Sequence, residues 1–194
     1  MPLMAPIPVQ VHLSCSLING VQSLKKHAVY LLLAGWVSGL GMISPAFAHL
    51  EGNTPPPGCQ LSQLDGAPAQ DWAAHKGGVI YIDFWASWCP PCVRSFPFMN
   101  QLVQDFGERG LQVVGVNLDE KLSDAQQFLA RIPAEFSVVV DADKQCAVDF
   151  GVIAMPSTYI IDKKGLVRHI HHGFRPGEAQ ALRDLIEALL AESS

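Results

Sequence analysis

The chain has 194 residues and a formal net charge of −5, and 49% of its residues are hydrophobic. This length fits one ordinary domain with additional residues, and a charged fraction of only 16% excludes a disordered acidic chain. The acidic balance argues against a nucleic-acid binder, because such proteins need a basic face. Five cysteines are too few for a disulfide scaffold, and their odd number requires an explanation.

The first 48 residues have the pattern of an export signal. They contain none of the 18 acidic residues and only two of the 13 basic ones, Lys25 and Lys26. An uncharged apolar stretch follows at residues 28–43, and the tripeptide AFA then ends the segment with small residues at the −3 and −1 positions of a cleavage site. We expect residues 1–48 to be a secretory signal that is cleaved after Ala48.

An uncleaved N-terminal anchor is the alternative for the same segment. A membrane span needs about 20 apolar residues, whereas this stretch is shorter and contains three glycines. The 24 residues before Lys25 are long for the positive end of a signal, and a translation start nearer Val21 or Leu24 would account for them. Removal of the signal also removes Cys15, so the exported part keeps an even number of cysteines.

The exported part is predicted to be a short linker and one α/β domain. Residues 49–58 form the linker, whose consecutive prolines are incompatible with a helix or a central strand. Residues 59–194 alternate strand-like and helix-like segments. Strands are predicted at residues 79–85, 111–118, 136–140, 158–162 and 166–171, and helices at residues 90–108, 123–131, 144–150 and 178–192. This order predicts a mixed central sheet flanked by helices.

The first predicted strand passes into a helix at Cys89-Pro90-Pro91-Cys92. The sulfur of Cys89 would lie near the unsatisfied amides of the helix start, which stabilise a thiolate. We therefore expect Cys89 to be the low-pKa nucleophile and Cys92 to be the resolving thiol. A zinc site needs about four ligands, and the sequence has no second Cys-x-x-Cys or Cys/His pair at finger spacing. An inert surface disulfide is the remaining alternative.

The residues around this pair resemble the active-site segment of the thioredoxin superfamily. The segment DFWASWCPPC at residues 83–92 is similar to that of the exported TlpA/ResA-like branch. Residues 113–119 and 151–162 resemble later strands of the same branch, so the resemblance extends along nearly the whole predicted domain. It implies a thioredoxin-like fold in which residues 122–140 form an additional helix and strand before the cis-proline, Pro156.

The resemblance also implies roles for individual residues. Cys89 would attack a disulfide of a client protein, and Cys92 would resolve the mixed disulfide with the help of Asp83, which matches the buried acid of thioredoxin. Pro156 resembles the cis-proline of the family, and Trp88 resembles the tryptophan beside the nucleophile. The residues expected to contact the client are Trp88, Pro90, Pro91, Met155 and Pro156. No organic cofactor is implied.

Asp83 lies in the middle of the apolar segment VIYIDFW. A buried, unpaired carboxylate is costly, so we expect its pKa to be raised and its position to serve the mechanism. A strand-end aspartate that faces solvent is the alternative. Ser95 stands where ResA-like proteins usually have Glu, and Gly115 stands where thioredoxin has a buried lysine. Proton handling is therefore expected to depend on Asp83 alone.

The predicted function is that of an exported, periplasmic protein-disulfide oxidoreductase that reduces its clients. The resemblance implies that a membrane thiol transporter supplies the electrons, because an exported dithiol otherwise stays oxidised. It further implies client proteins with disulfides or Cys-x-x-Cys segments, of the cytochrome c maturation or copper-oxidase assembly type. The chain would contact the membrane only through an uncleaved signal, and no nucleic-acid partner is expected.

Two cysteines, Cys59 and Cys146, remain after this assignment. In an oxidising compartment they would suit a structural disulfide between the start of the domain and the helix predicted at residues 144–150. Two buried, inert cysteines are the alternative.

A group of histidines suggests a competing function. His169 and His171 alternate on one predicted strand face, and His172 and His75 add further imidazoles. A copper-delivery module would combine these histidines with the cysteine pair. An exposed polar strand is favoured over a metal site, because carboxylate or thiol partners at ligand spacing are missing from the sequence.

Overall fold

The computed structural model describes residues 53–69, 72, 77–175 and 177–193. The predicted signal, residues 1–48, lies outside the described residues, as does His75. The chain divides into two units, Met1–Pro45 and Ala46–Ser194, and all described residues belong to the second. Within the described part of the chain, no helix is long and apolar enough to cross a membrane.

A six-stranded sheet forms the centre of the second unit. Its strands are β1 (Ser62–Gln63), β2 (Val79–Trp85), β3 (Leu111–Asn117), β4 (Ser137–Val140), β5 (Ser157–Ile161) and β6 (Val167–His172). They lie in the order β1-β4-β3-β2-β5-β6. Strands β2, β3 and β4 pair in parallel, and every pairing that involves β1, β5 or β6 is antiparallel. The predicted mixed sheet is confirmed, whereas β1 was not predicted, because two residues are too few to show an alternating pattern.

Among the described residues, four α-helices cover the sheet. They are α1 (Pro90–Phe106), α2 (Leu122–Arg131), α3 (Gln145–Asp149) and α4 (Glu178–Ala191). Helix α1 ends two residues before the predicted position, and Gly107–Arg109 continue it as a 3₁₀ turn. Gly110 closes that turn at a φ of 99°, a left-handed conformation that favours glycine. The helix α2 and the strand β4 occupy the segment predicted as an insert before Pro156.

Strand β2 is buried along its whole length because both faces of the sheet are covered. Its side chains alternate between two hydrophobic cores. Tyr81 and Trp85 point into the first core, which α1, α2 and α4 cover. Ile82 and Phe84 point into the second core, which α3 and the Trp72 side chain cover. The alternation places Asp83 on the same face as Tyr81 and Trp85, under α1.

The segment before β1 is attached to the second core. Cys59 and Cys146 form a disulfide that joins this segment to α3 across 87 residues of sequence. Trp72 packs edge to face on Phe150 with the ring centroids 5.5 Å apart. The indole Nε1 of Trp72 donates to the carbonyl of Pro57 at 3.0 Å. The predicted linker is therefore in contact with the domain at its C-terminal end.

Candidate active site

Cys89 and Cys92 form a disulfide at the start of α1. Cys89 is the N-cap residue of the helix, and its sulfur accepts a hydrogen bond from the backbone N–H of Cys92 at 3.2 Å. Pro90 and Pro91 occupy the first helical positions, where proline suits the backbone and its missing N–H leaves no helical bond unmade. The helix start therefore offers an amide and a positive dipole end to the Cys89 sulfur once the pair is reduced.

The turn before Cys89 is held in place by Asp119, which follows β3. The two carboxylate oxygens of Asp119 accept hydrogen bonds from the Ser87 N–H at 3.1 and 3.0 Å, and one also accepts from the Ser87 hydroxyl at 2.9 Å. The amide of Asn117 donates to the second oxygen at 2.8 Å. The amino-acid sequence alone assigns no role to Asp119. The sequence feature that could have indicated a role is an acid directly after a buried strand. The carboxyl ends of the parallel strands β2 and β3 lie at the same edge of the sheet, so a side chain that follows β3 lies near the turn that follows β2.

An open, mostly apolar groove lies beside the disulfide. It is lined by Trp88, Cys89, Pro90, Pro91, Leu118, Ala147, Val152, Ile153, Ala154 and Met155. Trp88 and Ile153 are 67% and 76% exposed, whereas Cys89 is only 3% exposed at the base. Four of the five residues expected to contact a client line this groove. The fifth, Pro156, is buried directly after Met155, and the bond between the two is cis.

Asp83 is 1% exposed, so the alternative of a solvent-facing aspartate is wrong. Its Oδ1 accepts a hydrogen bond from the Thr158 hydroxyl at 2.6 Å. Its Oδ2 is buried and has no hydrogen-bond partner among the described residues. Burial raises the pKa of Asp83 to about 7, although the nearby hydroxyls of Thr158 and Ser95 each favour the charged form and lower it.

Ser95 lies on α1, one turn after Cys92. It is fully buried, and its hydroxyl donates to the backbone carbonyl of Cys92 at 3.1 Å. It is also close enough to the Asp83 carboxyl to lower the pKa of that group. Ser95 therefore connects the buried acid with the helical turn that carries the second cysteine. From the sequence alone, Ser95 is only a departure from the ResA-like pattern.

The histidines of β6 make separate contacts. His169 and His171 stack with their ring centroids 6.1 Å apart, and His171 Nε2 lies 3.1 Å from Glu178 Oε2. His172 Nδ1 lies 2.8 Å from the Ser157 hydroxyl. Within the described ranges, no group of three His, Cys, Asp or Glu residues is arranged to hold a metal ion. His171 and His172 thus each have a polar neighbour outside the histidine group.

A mixed sheet with a Cys-x-x-Cys disulfide at the start of the helix after β2 and a cis-proline before β5 defines a thioredoxin-like protein. The crystal structure of a candidate thiol:disulfide interchange protein DsbE from Chlorobium tepidum superposes with a TM-score of 0.70 and 43% sequence identity. That comparison covers 73% of this chain and 99% of the Chlorobium chain.

Residues 46–186 match the family model described as Redoxin, and the chain belongs to this family. It is 33% identical over 113 residues to the thiol-disulfide oxidoreductase ResA of Geobacillus thermodenitrificans. These residues are 58% of this chain and 64% of that protein. It is also 33% identical over 92 residues to ResA of Bacillus subtilis, 47% of this chain and 51% of that protein. The chain thus spans about half to two thirds of these curated relatives. The expected TlpA/ResA-like membership of the thioredoxin superfamily is confirmed.

Proposed function

We propose that this protein is an extracytoplasmic thiol-disulfide oxidoreductase that exchanges electrons with client proteins through Cys89 and Cys92. One observation carries the proposal: the cysteine pair forms a disulfide at a helix start, beside an exposed apolar groove. An inert structural disulfide needs no such groove. The names of the ResA and DsbE relatives support the same reaction class.

In the reductive direction, the Cys89 thiolate attacks one sulfur of a client disulfide. The client S–S bond breaks, a bond forms between Cys89 and the client, and the second client sulfur leaves as a thiolate that takes up a proton. The Cys92 thiolate then attacks the Cys89 sulfur, so that the Cys89–Cys92 disulfide re-forms and the client is released. The client gains two electrons, and the dithiol of this protein loses them.

The second step needs an internal proton acceptor. Cys92 is fully buried, so its thiol cannot hand a proton directly to solvent. Asp83 is the buried acid connected to the Cys92 turn through Ser95, and its pKa of about 7 suits proton exchange near neutral pH. Asp83 is therefore the proposed base for Cys92.

The proposed client surface is the groove beside the disulfide. Trp88 and Ile153 present large apolar surfaces to solvent, and Pro90 and Pro91 continue that surface next to the sulfur. The backbone at Met155 is available to an extended client segment, a common mode of peptide recognition. An apolar, extended segment that contains a disulfide fits this surface best.

The proposed location is the periplasm, and the proposed partners are a membrane electron donor and client proteins. The signal-like segment at residues 1–48 and the names of the ResA and DsbE relatives support a periplasmic location. The Cys59–Cys146 disulfide is of the kind found in oxidising compartments. A membrane thiol transporter is the proposed electron donor, and cytochrome c maturation or copper-oxidase assembly is the proposed setting. The reaction requires no cofactor.

An insulin-reduction assay on the purified protein tests the proposed reaction. We expect Cys89→Ser to abolish reduction, and Cys92→Ser to stop turnover while it accumulates a mixed disulfide with the client. The double variant Cys59→Ser/Cys146→Ser is the control at saturating insulin, because it removes two cysteines and keeps the working pair. Full activity of Cys89→Ser would refute the proposal. The reduction potential of the pair then decides the direction: near −270 mV, about that of thioredoxin, indicates a reductant, and near −120 mV, about that of DsbA, an oxidant.

The proposed role of Asp83 has its own test. Asp83→Asn keeps the shape of the side chain and removes its ability to take a proton. We expect the release of the client to slow above neutral pH while the fold is retained. The measurement is the pH dependence of the single-turnover rate, and identical profiles for the two proteins would remove Asp83 from the mechanism.

A further inference from the structure

The two oxygens of the Asp83 carboxyl have different surroundings. Oδ1 accepts a hydrogen bond from Thr158 Oγ1 at 2.6 Å, whereas Oδ2 is buried with no partner among the described residues. A hydroxyl has one proton, so Thr158 cannot donate to a second group while it donates to Asp83. While Asp83 is charged, the Tyr81 hydroxyl, 3.3 Å from Thr158 Oγ1, is therefore the donor in that contact. The result is a directed chain of hydrogen bonds from Tyr81 through Thr158 to Oδ1.

The fold holds this chain rigidly. Tyr81, Thr158 and Asp83 are each at most 1% exposed. Asp83 and Thr158 are register partners in the antiparallel pairing of β2 and β5, so their side chains stand on the same face of the sheet. Burial raises the pKa of Tyr81 well above its ordinary value, and the nearby Asp83 raises it further. The phenol therefore keeps its proton and remains able to donate it to Thr158.

Among the described residues, neither β3 nor a salt bridge provides a partner for Oδ2 of Asp83. Gly115, the register partner of Asp83 on β3, has no side chain, and no salt bridge of the described residues involves Asp83. From α1, Ser95 lies next to the carboxyl while its hydroxyl donates to the Cys92 carbonyl. Tyr81 is a titratable side chain that interacts electrostatically with Asp83.

We propose that Thr158 is a positioning residue that holds Oδ1 of Asp83 and so leaves Oδ2 to take and return the proton of Cys92. This inference rests on the function proposed above and adds which oxygen of Asp83 receives the proton of Cys92. The Cys92 thiol loses its proton to Oδ2, and the sulfur electron pair forms the bond to Cys89 as the bond between Cys89 and the client breaks. The client sulfur leaves with the electron pair of that bond. Neutral Asp83 later returns the proton to the departing thiolate or to water.

The test compares variants at position 158 that differ in the hydroxyl. Thr158→Val keeps the branched shape and removes the donor, whereas Thr158→Ser keeps the donor. Loss of a hydrogen bond to the charged carboxylate should raise the midpoint of the Asp83 titration by about one pH unit or more in Thr158→Val. Thr158→Ser should stay within about 0.3 unit of the wild type, and Tyr81→Phe should give a smaller upward shift, because it removes only the remote donor.

Two measurements are needed on the full chain. Carbon-13 NMR of the oxidised protein follows the Asp83 carboxyl directly, and single-turnover reduction of insulin as a function of pH follows the chemistry. In an Asp83→Asn background, Thr158→Val should no longer change the pH profile, since Thr158 acts through Asp83. An equal effect of Thr158→Val in both backgrounds would show a purely structural role and overturn the inference.

The outcomes separate this inference from the proposed function. If Thr158→Val does not fold, Tyr81→Phe still tests the chain of hydrogen bonds, and an unchanged Asp83 titration in that variant overturns it. If every variant reduces insulin with the wild-type pH profile, the oxidoreductase function stands and the role of Thr158 is refuted. If the wild type does not reduce disulfides, the NMR titration still decides whether Thr158 holds the carboxyl.

Discussion

Asp83 on β2 pairs in register with Gly115 on β3, in the centre of the sheet. A Cβ atom at position 115 would lie 2.8 Å from Phe136 Cε2 and 3.1 Å from the indole Nε1 of Trp85. The aromatic rings thus occupy the space that a longer side chain would need, so a lysine at this position cannot reach Asp83 without rearranging them. Burial therefore dominates the pKa of Asp83 and raises it to about 7.

The raised pKa predicts how stability depends on pH. The unfolded carboxyl titrates near 3.8 and the folded one near 7, so between these values the folded state holds a proton that the unfolded state has lost. The contribution of Asp83 to stability is thus most favourable below about pH 4, falls as the pH rises to about 7, and stays lower above that. We expect Asp83→Asn to be more stable than the wild type at pH 8, by up to about 4 kcal/mol, and the difference to vanish near pH 4. Urea unfolding at pH 4, 6 and 8 measures this; a difference independent of pH would contradict it.

The close packing at Gly115 predicts that even one added methyl group is destabilising. Gly115→Ala must displace the ring of Phe136, which packs on Phe96 with the centroids 5.1 Å apart. Overpacking of this kind lowers the free energy of unfolding by about 1–3 kcal/mol. Gly107→Ala is the matched control, since the nearest atom to its added Cβ is 3.8 Å away and its φ of −55° suits any residue. Equal unfolding midpoints for the two variants would show that the aromatic rings move aside without a loss of stability.

The contacts of Asp119 predict that it supports the reactive turn. Asp119→Asn would place an amide NH₂ against donors of Ser87 or Asn117, so at least one buried hydrogen bond is lost. We expect a loss of about 2 kcal/mol in the free energy of unfolding and slower disulfide exchange, because the Ser87 turn precedes Cys89. Asp124→Asn, at an exposed position on α2, is the control and should change stability by less than about 0.5 kcal/mol. If both variants exchange disulfides at the wild-type rate, Asp119 has no part in positioning Cys89.

The disulfide between Cys59 and Cys146 is predicted to stabilise the fold more than the disulfide between Cys89 and Cys92. It closes a loop of 87 residues, so its removal by the double substitution to alanine should cost about 4 kcal/mol through the entropy of the unfolded chain. Thermal unfolding measures the loss. The control is Cys89→Ala/Cys92→Ala, whose disulfide spans three residues and constrains the unfolded chain far less. Equal losses in the two double variants would contradict the loop-closure argument.

The same disulfide is also predicted to influence the groove. Cys146 is followed by Ala147, which lines the groove beside Cys89, and both backbone N–H groups donate to Asp141. Loss of the bond to Cys59 should make the groove lining at Ala147 more mobile. We therefore expect the Michaelis constant for insulin to rise while the single-turnover rate at saturating insulin is kept. An unchanged Michaelis constant would show that the structural disulfide does not affect client binding.

The sequence by itself determined the parts of this protein that depend on short-range patterns. The apolar run of Val79–Trp85 indicated a strand buried on both faces, and the prolines after Cys89 indicated a helix start. These patterns suffice because a strand or a helix start is specified by residues within one or two turns of each other. They placed a cysteine pair at a strand-to-helix junction and an acid six residues before it.

Only the tertiary structure decided how that acid and that turn are held. Thr158 reaches Asp83 across 75 residues of sequence, and Asp119 reaches Ser87 across 32. Both contacts depend on which strands become neighbours and in which register, and a shift of one residue would turn Thr158 to the other face of the sheet. The local sequence around Thr158 is the same apolar strand whether or not it pairs with β2. The identity of the oxygen left free on Asp83 is therefore a property of the assembled sheet.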